Sequence, residues 1–150
     1  MLENRNINVC LVSDLFENYP LSENTIVVVV DLLRATTVIS TAFNFGIKEI
    51  IPVSSLEIAK KYIDRKDFIV AAERNAMPIQ GFDYGNSPFQ YMNNDILDKT
   101  LVLTTTNGTK AINIASSYEV ITSCFINIDA VEEFLLNSNK DVLILCSGWK

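Results

Sequence analysis

Short apolar runs and amphipathic stretches alternate along the chain. Residues 7–12, 25–30, 49–53, 67–71, 100–104, 120–122 and 141–146 are apolar and largely β-branched, with the length and composition of strands. Several are almost wholly apolar, as from Ile26 to Val30, which suits strands covered on both faces. Between them the apolar spacing becomes helical. Residues 35–45 run up to Gly46, a natural helix stop. Ser55 can cap a helix over 56–64, where Leu56, Ala59, Lys60 and Ile63 share one face. Residues 109–116 read as a third helix. Residues 130–137, capped by Asp129 and carrying Val131, Phe134 and Leu135 on one stripe, read as a fourth. The alternation predicts an α/β layered fold with a largely parallel sheet, built as a single domain over residues 1–150.

One stretch breaks the pattern. Residues 74–97 hold two of the four prolines and two of the five glycines, with little periodicity. A loop that long in a compact domain is functional or disordered. Phe82, Tyr84, Phe89 and Tyr91 can pack it down, which argues against disorder. The strand-like run 141–146 would normally lead into a covering helix, yet only four residues follow. The chain is therefore expected to be C-terminally incomplete.

Composition narrows the chemistry. The chain has no histidine, so it holds no Ser-His-Asp or Cys-His pair and no His-ligated zinc. Acid–base or metal work falls to carboxylates, which favour hard ions such as Mg2+. A net charge of −6 and the lack of a Lys/Arg cluster speak against nucleic acid as a partner. The longest apolar runs are five residues, so no membrane span is expected. The start Met1-Leu2-Glu3-Asn4 shows no signal peptide, and Cys10, Cys124 and Cys146 suit reduced thiols in a cytoplasmic protein.

Ligands of open α/β sheets bind beyond the carboxyl ends of strands, and the candidate chemistry gathers there. Asp31 follows the run 25–30, and Arg34, Thr36 and Thr37 open the next helix. Asp31 could hold a metal or attack phosphorus, Arg34 could grip an oxyanion, and the two threonines lie where backbone N–H groups attract anions. Alternatively, Asp31 only caps the helix. Thr104-Thr105-Thr106-Asn107-Gly108-Thr109-Lys110 again joins a strand to a helix, with hydroxyls, an amide and a glycine suited to an oxyanion; it is not the phosphate loop of nucleotide triphosphatases. Glu73-Arg74 follows the run 67–71. Asp83, Asn86 and Ser87 lie in the long loop, and Ser147-Gly148 follows the last strand. Together these motifs offer an oxyanion grip plus carboxylates, which points to phosphoryl or sulfonyl substrates with a divalent ion.

The stretches from Val30 to Thr37, Glu73-Arg74, Gly81-Phe82-Asp83-Tyr84-Gly85-Asn86-Ser87-Pro88 and Thr104-Thr105-Thr106-Asn107-Gly108-Thr109, in this order and spacing, resemble the 2-phosphosulfolactate phosphatase family. The match runs from about Val9 to the end. Asn75-Ala76 depart from a glycine-rich stretch usual in the family, whose members also continue past Cys146-Ser147-Gly148. The resemblance implies a three-layer α/β/α fold with a largely parallel or mixed sheet, of which this chain is the N-terminal portion. It also implies a magnesium-dependent phosphatase that cleaves 2-phospho-3-sulfolactate to 3-sulfolactate and phosphate, a step of coenzyme M biosynthesis in methanogens, or a related small anionic phosphate ester.

On that reading Asp31, Arg34, Glu73 and Arg74 are catalytic, and Asp31, Glu73 and Asp83 are the metal ligands. Thr36, Thr37, Asn86, Ser87, Thr105, Thr106, Asn107, Gly108, Thr109, Ser147 and Gly148 bind the substrate. Asp31 as a covalent nucleophile is the competing mechanism. A non-catalytic anion- or nucleotide-binding module, or an inactive truncated member, is the rival function. An exposed sheet edge would favour a homo-oligomer, most simply a dimer.

Overall fold

A computed structural model describes residues 5–75 and 77–148. Ala76, Trp149, Lys150 and the first four residues lie outside them. The described residues form eight strands and four α-helices: β1 Ile7–Cys10, β2 Thr25–Val30, α1 Ala35–Asn44, β3 Glu49–Pro52, α2 Leu56–Lys60, β4 Phe68–Arg74, β5 Met77–Pro78, β6 Thr100–Thr104, α3 Gly108–Ile114, β7 Glu119–Ser123, α4 Ile128–Leu136 and β8 Asp141–Cys146.

The strands fall into two four-stranded sheets rather than one. The first has the order β1-β8-β2-β7 and is parallel throughout; the second has the order β3-β6-β4-β5, parallel except for the β4–β5 edge. Each sheet has helical structure on both faces. In the first sheet, Val27, Val29, Leu143 and Leu145 pack against Ala111 and Ala115 of α3. On its other face Ile26, Val28 and Val142 meet Val131 and Leu135 of α4. In the second sheet, Ile69, Ala71, Leu101 and Leu103 meet Val38, Ile39 and Ala42 of α1, while Val70 and Val102 meet Ala59 of α2. Ile112 packs against both the α1 and the α3 clusters, so these two helices join the sheets at one seam.

These residues form these elements because apolar alternation and burial agree. In β2, Thr25 to Val29 are all buried, as a central parallel strand requires. One helix is much shorter than its spacing predicts, and another is capped by a different residue. α2 stops at Lys60, and Asp64 takes a positive φ of 68° that no α-helix accommodates. Asp129 lies inside the first turn of α4 and does not cap it. Asn127 holds the cap position, accepting from Cys124 N–H at 2.8 Å and donating to Thr122 O at 3.0 Å.

The long irregular segment is tied down as its aromatics suggest. Tyr91 is fully buried, donates to Gly85 O at 2.7 Å and stacks on Tyr84 at 5.2 Å. Among the described residues no helix is long and apolar enough to cross a membrane.

Candidate active site

The carboxyl ends of β2, β4, β6 and β8 carry the polar residues of the site. At the end of β2 the chain turns sharply into α1, and Thr36 makes that turn. Its hydroxyl donates to Asp31 O at 2.8 Å and accepts from Asp31 N–H at 3.1 Å. Thr37 does likewise with Leu32 O at 2.8 Å. Thr36 is fully buried, so its hydroxyl serves the turn and is not presented to a ligand. Thr37 also spends its hydroxyl on the backbone of this turn.

The turn aims the half-buried Asp31 carboxylate at a junction of three elements. It is hydrogen-bonded by the Ala35 and Arg34 N–H groups and by the Ser147 hydroxyl at the end of β8, and Glu73 stands near enough to repel it. Burial, and to a smaller degree Glu73, push the Asp31 carboxyl above the ordinary carboxylate value, against those hydrogen bonds. Helix α3 closes the junction. A methyl group placed on Gly108 would lie 2.3 Å from Ala35 Cβ and 2.6 Å from Asp31 Oδ2, so only glycine lets α3 sit against both.

Glu73 is the penultimate residue of β4 and is buried. Its two oxygens accept from the Thr106 hydroxyl at 3.2 Å and from Thr106 N–H at 3.3 Å. The turn after β6 is held by a reciprocal pair. Thr105 N–H donates to Thr109 Oγ1 and Thr109 N–H to Thr105 Oγ1, both at 3.0 Å, and the Thr109 hydroxyl also donates to Thr105 O. Thr109 is therefore a structural clasp, not a group facing substrate. Asn107 Nδ2 reaches Gly148 O at 3.4 Å and links this turn to the end of β8.

Asp83 departs from the expected ligand set. Its carboxylate accepts from Val70 N–H at 3.0 Å, in the middle of β4 rather than at its end. Among the described residues no three Asp, Glu or Cys side chains gather as a metal cluster. Asp31 and Glu73 still fit a hard divalent ion. They are two mutually repelling carboxylates in a half-buried crevice, and Mg2+ typically takes one or two carboxylates and keeps waters or phosphate oxygens for the rest.

Asn86 is buried, and its Oδ1 has no hydrogen-bond partner among the described residues. The parallel bridge between Ala71 and Tyr84 ties the segment that carries Asn86 to β4, two residues before Glu73. Ser87 follows Asn86 at the start of a 3-10 turn, Pro88–Tyr91.

Arg74 points to the other face of β4 from Glu73. It donates to Glu73 O at 2.6 Å and to Thr104 Oγ1 at 2.9 Å, and lines a cleft of about 750 Å³ with Ser54, Asn75, Thr105, Thr106, Lys110 and Asn113. Ser54 and Asn113 are absent from the sequence-derived site. Ser54 follows a strand, the same signal that singled out Asp31; Asn113 is one helical turn beyond Lys110.

Strand ends that carry carboxylates, amides and a guanidinium around a two-sheet seam define the class of the molecule as a layered α/β protein. Comparison with known proteins takes this one step further. A family model described as 2-phosphosulpholactate phosphatase matches residues 10–150, and the chain belongs to that family. It is 49% identical over 126 residues to a protein of Caldanaerobacter subterraneus subsp. tengcongensis, covering 81% of this chain and 52% of that relative. It is 46% identical over 129 residues to one of Clostridium novyi, covering 84% and 55%. A Clostridium tetani protein is 40% identical over 146 residues, covering 95% and 62%. All three are named probable 2-phosphosulfolactate phosphatase. The chain thus spans less than two thirds of the length of each.

Proposed function

We propose that the protein is a phosphoric monoester hydrolase acting on 2-phospho-3-sulfolactate or a closely related small anionic phosphate ester, with Mg2+ as its cofactor. The observation that carries this reading is the placement of Asp31. A carboxylate held by Ser147, by the first N–H groups of α1 and by the close approach of Gly108, with Glu73 beside it, is positioned for phosphoryl chemistry. The names of the relatives support the reaction class.

Asp31 and Glu73 would hold the ion, which when bound supplies charge neutralisation and an acidified water. The chain's own groups do the rest. Thr106 fixes both Glu73 oxygens, so that carboxylate keeps one orientation. Ser147 and the Ala35 N–H do the same for Asp31. Arg34, in the turn between β2 and α1, supplies positive charge against a phosphate ester that a −6 protein would otherwise repel.

The test is phosphate release from 2-phosphosulfolactate and a panel of small phosphate esters, with and without Mg2+, for this chain and for a version extended to its relatives' length. Magnesium-dependent release selective for the sulfonated ester is expected from the extended form. Release from neither form would overturn the reading. Recovery of a phosphorylated Asp31 would replace metal-assisted hydrolysis with the covalent route.

A further inference from the structure

The cleft on the Arg74 side has no role in the hydrolysis just described. Neither Asp31 nor Glu73 lines it, so it offers nowhere for carboxylate-held metal chemistry. Its charge is nevertheless specific. Arg74 spends two donors on neutral oxygens, Glu73 O and Thr104 Oγ1, and no carboxylate stands in ion-pair contact with it among the described residues. Exposed Glu57, in the first turn of α2, is a carboxylate that feels its charge. The second cation, Lys110, pairs with Asp14 at 2.5 Å, but both partners are exposed, and such pairs exchange readily. Around them stand Ser54, Asn75, Thr106 and Asn113, a lining of hydroxyls and amides.

A partly buried guanidinium without a carboxylate, facing a cleft that sets hydroxyls and amides beside the apolar Ile114, is suited to a tetrahedral oxyanion. Thr106 is the wall between the two sides. Its N–H and hydroxyl serve Glu73, while the residue itself lines the cleft. Thr106 thus stands between an anion in the cleft and a phosphate at Asp31–Glu73.

We propose that the cleft formed by Ser54, Arg74, Asn75, Thr106, Lys110 and Asn113 is a second oxyanion pocket, which takes the sulfonate of the substrate while its ester phosphate lies at Asp31 and Glu73. This rests on the phosphatase reading for the identity of the phosphate end, but the pocket itself is measured by binding. It makes Ser54, Lys110 and Asn113 specificity-determining residues and gives Arg74 a binding role.

The experiment is a 15N NMR titration of the 150-residue chain with isethionate, a hydroxyalkyl sulfonate, and separately with inorganic sulfate and inorganic phosphate. Saturable shifts centred on Asn75, Thr106 and Asn113 are expected with isethionate and sulfate. Arg74→Gln removes charge-assisted bonds and is expected to weaken isethionate by about tenfold to a hundredfold. Lys110→Ala is expected to weaken it by about two- to fivefold, as loss of an exposed charge does. Ser54→Asp adds a negative charge at an exposed position and tests the pocket if Arg74→Gln does not fold. Shifts centred on Ala35 and Gly108, the absence of saturation, or unchanged affinity in Ser54→Asp would each overturn the proposal. Magnesium-dependent turnover of p-nitrophenyl phosphate, which has no sulfonate, judges the phosphatase reading separately.

Discussion

Replacing Gly108 with alanine sets two effects of opposite sign against each other. Gly108 opens α3 without a positive φ, so its backbone accepts alanine, and the less flexible unfolded chain alone would stabilise the fold by about 0.4–1 kcal/mol. The space does not accept it. The new methyl would lie 2.3 Å from Ala35 Cβ and 2.6 Å from Asp31 Oδ2, where carbon contacts normally begin near ~3.5 Å, so α3 and α1 must part by about 1 Å. Overpacking of this kind costs about 1–3 kcal/mol. The clash outweighs the gain over nearly all of that range, leaving a net loss of up to about 2.6 kcal/mol, or up to roughly 10 °C in Tm for a domain of this size. Thermal unfolding by circular dichroism measures it. Adding Ala35→Gly removes the closer contact but keeps the one to Asp31, so the double variant should be more stable than the two single effects summed. In the extended enzyme, a shift of about 1 Å at Asp31 should lower kcat by about a hundredfold. A Tm above wild type would show that α3 is free to move and that Asp31 is not held by this contact.

Asp31→Asn should abolish magnesium-dependent turnover and stabilise the fold near pH 7. Because the folded carboxyl lies above its ordinary value of about 3.9, the native state keeps its proton to higher pH than the unfolded chain, and stability falls as pH rises through that window. The variant's advantage should therefore vanish below about pH 3, where Asp31 is protonated in both states; an advantage independent of pH would disprove it. Asp83→Ala should cost about 1 kcal/mol in denaturant unfolding by stranding Val70 N–H, and leave calorimetric Mg2+ affinity unchanged, whereas Glu73→Gln should weaken Mg2+. Thr109→Val breaks the clasp on a buried turn and should cost about 1–3 kcal/mol, with Thr109→Ser restoring most of it, since serine keeps the hydroxyl.

The strands at the centre of each sheet were the most legible elements. The runs 25–30, 100–104 and 141–146 coincide with β2, β6 and β8 because buried parallel strands are apolar on both faces and end abruptly in polar residues. Their division into two sheets was not legible. Such strands look alike, and which pair forms depends on where the crossover helices pack. The strand-end rule located Asp31, Glu73, the Thr105–Thr106 turn and Ser147 correctly as neighbours. It could not assign hydroxyls, because a threonine at a strand end reads the same whether it serves an anion or the backbone. Thr36 and Thr109 serve the backbone. Asp83 shows the same limit: a carboxylate in a glycine-rich loop reads as a ligand, and only the pairing of the loop with β4 shows that it also accepts from Val70 N–H.

The two-sheet arrangement explains how one short chain places unlike chemistries so close together. Glu73 and Arg74 are consecutive, and successive side chains of a strand point to opposite faces. Glu73 is thereby delivered to the α1 side, beside Asp31, and Arg74 to the cleft with Ser54 and Asn113. A carboxylate and a guanidinium that would neutralise each other in one pocket are kept apart by the strand between them. The Thr105–Thr106 turn then reaches both sides, closing on Glu73 with one residue's N–H and hydroxyl while lining the cleft. The seam between α1 and α3 is what holds this alignment, since Asp31 comes from a strand of the first sheet and Glu73 from a strand of the second. A change that loosens the seam at Gly108 should therefore disturb the carboxylate pair before it disturbs the Arg74 cleft, which draws its lining from the second sheet and the outer side of α3.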